Sequence, residues 1–137
     1  MSDRIRRTQY YYTHVPDQAG EAWRIAHALH EAGVNLLAFS AFPAGEHGSQ
    51  VDLIPSEKEP FLAACRKAGW KLVGPKTCFL VDGAERPGAV ASILARLADA
   101  KINVTALDAT CAGGGRYGAI LWVKPESVEA AARALGL

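Results

Sequence analysis

Residues Glu85 to Val104 read ERPGAVASILARLADAKINV. Pro87-Gly88 is a turn signal, Val90, Ile93, Leu94 and Leu97 recur at i, i+3, i+4 and i+7, and Ile102-Asn103-Val104 leaves as a strand. Asp17 to Leu36, DQAGEAWRIAHALHEAGVNL, repeats this unit, with Gly20 for Gly88, Ile25 for Ile93, Leu29 for Leu97 and Asn35 for Asn103. The match continues: Phe39 to Ile54 answers Leu107 to Val123, and Pro55 answers Pro125, each proline opening a second helix. The chain is therefore an internal duplication.

At 137 residues the chain has the length of one ordinary domain or two very small ones, so two closely packed halves are expected, residues 1–75 and 76–137. Half of the residues are hydrophobic, enough for a core. A net charge of +1 with both signs scattered provides no basic footprint for nucleic acid or an anionic membrane, and neither partner is expected. Cys65, Cys78 and Cys111 are odd in number and lack CxxC spacing, which fits small buried thiols in a reducing compartment. With no leader-like segment and no long apolar run, the expected location is the cytoplasm.

The polar residues 1–8, with Arg4, Arg6 and Arg7, read as a solvated tail entering a strand at Gln9 to Val15. Helix Gly20 to Ala32 is expected to bury Ala22, Ile25 and Leu29. Its opposite side carries Trp23, His27 and His30, a packing surface between halves or subunits, since no local spacing supplies the further ligands a metal needs. Strands Val34 to Phe42 and Gln50 to Ile54 follow, joined by a glycine-containing hairpin. A helix burying Phe61, Leu62 and Cys65 and stopped by Gly69 comes next, then a short strand Trp70 to Val73. This β-α-β-β-α-β order is the ferredoxin-like split unit of the α+β class, an antiparallel sheet with both helices on one face. The second copy runs from Thr77 and ends on its helix Pro125 to Leu135, without a last strand of its own. Its first strand needs cover, from Trp70 to Val73 or from a partner chain.

Candidate chemistry sits at the two turns. Glycine before a helix lets backbone N–H groups and the positive end of the helix dipole meet an anion such as a carboxylate, with Arg86 as a further clamp. Asp17 and Glu85, three residues ahead of Gly20 and Gly88, suit an ammonium. Asn35 and Asn103 are amides that donate and accept, expected at the same end of the sheet as the turns. Together these groups would hold a free amino acid by both charged ends.

DQAG and ERPG ahead of a helix, followed by VN or IN, resemble the ACT domain, a small regulatory ligand-binding module, and the resemblance covers nearly the whole chain as a tandem pair. It implies side-by-side pairing with an amino acid in the interface beside the turn glycine. It carries over Gly20, Gly88, Asn35 and Asn103, with Asp17 and Glu85 at the polar loop position. Ala19 stands where the family usually has proline, so Gly88 with Asn103 is the better preserved pair. ACT domains usually append to enzymes or transcription regulators, so a chain without such a domain is expected to act alone or in trans; the Trp23 stripe, the two-faced strands and the missing last strand lead to the expectation of a homodimer.

The loop AGGGRYG, Ala112 to Gly118, matches G-x-G-x-x-G at Gly113, Gly115 and Gly118 but joins two strands, where the dinucleotide fingerprint must join a strand to a helix. Its alternative use is a phosphate or nucleotide nest with Arg116 supplying charge; a third reading is a dimerisation module with an empty pocket. No nucleophile has a partner by spacing, so no enzyme, cofactor or metal is expected.

Overall fold

The computed structural model describes residues 3–137. Six strands form one sheet in the order β2-β3-β1-β4-β6-β5, with β1 Arg4–Val15, β2 Leu36–Pro43, β3 Ser49–Pro55, β4 Val73–Ala84, β5 Ala106–Gly113 and β6 Arg116–Trp122. The helices are α1 Glu21–Glu31, α2 Lys58–Ala68, α3 Ala89–Asp99 and α4 Val128–Ala134, the last preceded by a 3-10 turn at Pro125–Ser127. The fold is α+β, as the sequence predicts.

Two compact units divide the chain. Tyr10–Lys76 is the first; Thr77–Leu137, with Gln9 and the described residues before it, is the second. Two 12-residue strands, β1 and β4, belong to both. Of the short strand expected at Trp70 to Val73, only Val73 lies in a strand, as the first residue of β4, which runs on through Gly74 and Pro75. Of the expected polar tail, Met1 and Ser2 lie outside the described residues, and Arg4 to Thr8 lie in β1, next to β4. The cover for the second copy's first strand is therefore the chain's own Arg4 to Gln9. Its alternation explains the match, because Ile5 packs on the second unit's core while Arg7 ion-pairs with Glu129 on α4.

In the first unit, Tyr11, Val15, Val51 and Leu53 point to one sheet face and meet Ile25 and Leu29 of α1 and Phe61 and Cys65 of α2. Tyr11 and Phe61 rings lie 5.3 Å apart. In the second, Phe79, Val81, Tyr117, Ala119 and Leu121 meet Ile93 and Leu97 of α3 and Ala131 and Leu135 of α4. Both helices of each unit thus cover one face, as period-2 strands and period-3.6 helices require. Ala22, expected in the core, is exposed. So is Cys111, whereas Cys65 and Cys78 are buried. Trp23 is 66% exposed and stacks on His27 at 4.7 Å.

Candidate functional site

Gly20 and Gly88 occupy the N-cap positions of α1 and α3 with φ of 90° and 82°, a left-handed conformation that a Cβ would strain. Neither helix has a side-chain cap. The first-turn amides Val90 and Ala91 of α3, and Ala22 and Trp23 of α1, have no acceptor within their helices and remain available to an anion.

Each turn opens onto a cleft. In the second unit a cleft of about 430 Å³ is lined by Glu85, Arg86 and Gly88 to Ala91 from the turn and helix, and by Thr110, Cys111 and Tyr117 from the strands. The backbone N–H of Glu85 donates to the Gly115 carbonyl at 2.8 Å, tying the turn to the β5–β6 hairpin. In the first unit a cleft of about 240 Å³ is lined by Asp17, Gln18, Glu21, Phe42 and Ser49 among others.

Arg86 is already engaged. Its Nη1 and Nη2 donate to Asp3 Oδ1 and Oδ2 at 3.0 and 3.1 Å, and Nη1 also to the Ala84 carbonyl at 2.8 Å. The guanidinium holds the Asp3 carboxyl below its usual range, and Asp3 in turn raises Arg86. Gly83 forms the floor, since a Cβ there would lie 2.1 Å from Asp3 Oδ1. The buried Tyr117 hydroxyl lacks hydrogen-bond geometry to any partner among the described residues, yet burial and the nearby Asp3 push its pKa up. The Cys111 thiol is raised too, by desolvation first and then by the Glu85 carboxylate beside it.

Asn35 and Asn103 lie elsewhere than expected. Val15 pairs with Ser49 and Ser49 with Pro43, so these residues mark the turn end of the first unit, while Leu36 pairs with Pro55 at the other. β1 and β2 are both antiparallel to β3, hence parallel to each other, and α1 must carry the chain back the full length of the sheet before β2 begins. Asn35, just before β2, is thus separated from Asp17 and Gly20 by roughly 20 Å of strand; its carbonyl accepts from the Ser56 amide and hydroxyl. The same reversal in the second unit leaves Asn103 beyond Ala106, at the Trp122 end, whereas Glu85, Arg86 and Gly88 adjoin the Arg116 end. Within each unit the structure brings together the turn residues and excludes the asparagine. Asp3, Thr110, Cys111 and Tyr117 are the cleft-side residues that sequence reading missed; only Tyr117, in the inward phase of its strand, carried a signal.

The glycine loop is a tight hairpin with Gly113, Gly114 and Gly115 at positive φ. Arg116 donates to Asp82 at 2.5 Å. Among the described residues no three His, Cys, Asp or Glu side chains come together to hold a metal, and no helix is long and apolar enough to cross a membrane.

No family model matches the sequence, and no curated protein does. Solved structures match over almost the whole chain. A protein from Bacteroides thetaiotaomicron superposes with a TM-score of 0.79 at 12% identity, covering 96% of this chain and 88% of that one. The ligand-free regulatory subunit of aspartate kinase from Thermus thermophilus gives 0.63 at 21% identity over 97% and 93%. The corresponding subunit from Thermus flavus gives 0.63 at 18% over 98% and 95%. The fold is that of these regulatory subunits. At these identities the likeness is one of fold.

Proposed function

We infer that this chain is a regulatory module that binds a small free amino acid in the cleft of its second unit. One observation carries the reading: the uncapped Val90 and Ala91 amides and the Glu85 carboxylate line a single cleft. Amides at a helix N-terminus suit a carboxylate, and Glu85 suits an ammonium. Thr110, Cys111 and the alanines leave room for a short side chain. Gly20, Asp17, Asn35 and Asn103 stay secondary in this reading, because the first cleft is smaller and both asparagines lie away from their own turns.

The likeness to regulatory subunits of aspartate kinase supports a regulatory role. A binding rather than catalytic part is supported by Cys111, whose raised pKa is the reverse of what a thiolate nucleophile needs. The phosphate reading loses support because Arg116 spends its charge on Asp82. Homodimerisation is part of the proposal: Trp23 on α1 and Leu37, Phe39 and Phe42 on the edge strand β2 are exposed, and apolar groups on an open edge favour a partner. A monomeric mass in solution would remove that part. Free cysteines support a reducing, cytoplasmic setting.

The test is thermal unfolding across the twenty amino acids and a panel of nucleotides. A ligand at a hundredfold excess over its dissociation constant stabilises by about 2.7 kcal/mol. One amino acid, or a few of one size class, should raise Tm; a response to nucleotides alone would overturn the reading.

A further inference from the structure

The duplication sets Glu21 where the second copy has Ala89. α1 therefore carries a carboxylate in its first turn and α3 carries none. Glu21 is held in place: Arg24 Nε donates to its Oε2 at 3.1 Å and Nη2 to its Oε1 at 3.2 Å, and the side chain is only 20% exposed. The cleft it lines contains a second carboxylate, Asp17, which accepts from the Ser49 hydroxyl at 3.2 Å, and no cationic side chain lines it. The positive end of α1 thus has an anion beside it, paired with Arg24, although no side chain caps its amides.

The second unit's cleft has one carboxylate, Glu85, where the first has two. The first turn of α3 is Ala89, Val90 and Ala91, and the cleft is larger. Tyr117, 5% exposed, lines it, its hydroxyl beside the Asp3–Arg86 pair but without a well-formed hydrogen bond among the described residues. A buried, unsatisfied hydroxyl is costly unless something completes it.

We propose that Glu21 is a resident anion that closes the first unit's cleft to carboxylates, so that the chain takes one carboxylate ligand, in the second unit alone. As to which carboxylate, this rests on the amino-acid reading above; as to where it binds, it stands on the contrast between the two helices. The duplication then supplies one binding cleft and one cleft carrying its own counter-charge.

The probe is sodium acetate, a bare carboxylate, titrated into ¹⁵N-labelled full-length protein while the amide resonances of Val90, Ala91, Ala22 and Trp23 are followed. Val90 and Ala91 should shift saturably, and Ala22 and Trp23 should respond with about tenfold or more weaker affinity, as expected for a like charge within several ångströms. In Glu21→Ala and Glu21→Gln, Ala22 and Trp23 should gain saturable shifts while Val90 and Ala91 are unchanged. Equal responses at both turns in the unaltered protein would overturn the proposal, as would silence at Val90 and Ala91 or no gain in either Glu21 variant. Acetate binding at Val90 and Ala91 without binding of any amino acid would uphold the proposal and defeat the amino-acid reading instead.

Discussion

The Asp3 carboxylate takes both terminal nitrogens of Arg86, at 3.0 and 3.1 Å. This fork joins the head of β1 to the turn that begins α3, and so fastens the strand that completes the second unit to the loop that frames its cleft. Asp3 is therefore a structural counter-ion for a side chain that the sequence marked as a ligand clamp.

Asp3→Asn should lower Tm at neutral pH. The folded-state pKa of Asp3 lies below its ordinary value of 3.8, first because of the Arg86 hydrogen bonds. The pair's contribution is accordingly present above the unfolded-state pKa and lost as pH falls through the folded one. Unfolding curves of the two proteins recorded across pH should differ at pH 7 and converge in acid; a pH-independent gap would contradict the assignment.

Gly83→Ala should cost about 1–3 kcal/mol, the range for forcing atoms into filled space, because the new Cβ would overlap Asp3 Oδ1 at 2.1 Å. Most of the penalty should vanish in the background of Asp3→Ala. A double-mutant cycle from denaturant unfolding measures that coupling, and additive losses would show that Gly83 answers to something else.

Removing residues 1–9 strips β4 of its neighbour in the second unit and takes Ile5 out of the core. Amide resonances from Thr77 to Leu137 should lose dispersion and the product should self-associate through the bared edge. A truncated chain with native spectra and native mass would show that Arg4 to Gln9 is the dispensable tail its composition implies.

Asp52 is buried on β3, accepts from Gln50 Nε2 at 2.9 Å, and has its pKa raised by burial. A raised folded pKa for an acid makes the charged form the unfavourable one, so its cost appears as pH rises above the ordinary 3.8. Asp52→Asn should raise Tm at pH 7 and lose that advantage in acid, as read from melting curves at the two pH values.

Much of this fold is legible in the sequence because the relevant signals are local. The i, i+3, i+4, i+7 apolar series places Ile25, Leu29, Ile93 and Leu97 in the cores, and Gly69 ends α2 at a φ of 74°. Two kinds of information are not local. The strand partner of Arg4 to Gln9 lies some seventy residues on, and nothing in RIRRTQ distinguishes a solvated tail from a strand whose alternate side chains are arginines snorkelling from a sheet. The asparagines failed for a topological reason: VN and IN follow the turns closely in sequence, but a helix of 11 residues returns the chain to the opposite end of the sheet. The turn residues Glu85, Arg86 and Gly88 were legible because a turn and a helix start are contiguous. Cys111 reaches the cleft from β5 and Asp3 reaches Arg86 from just before β1, and neither had a local mark.

Isothermal titration of the amino acid that raises Tm most, against the unaltered protein and Glu85→Gln, shows whether the Glu85 carboxylate meets the ligand's ammonium. The variant keeps the size and hydrogen-bonding reach of the side chain and removes the charge proposed to meet the ammonium. Binding should weaken about tenfold or more, the effect of losing one close charge partner, with no loss of folding. Equal affinity for both proteins would contradict that contact and place the ligand outside the cleft of Glu85 and α3.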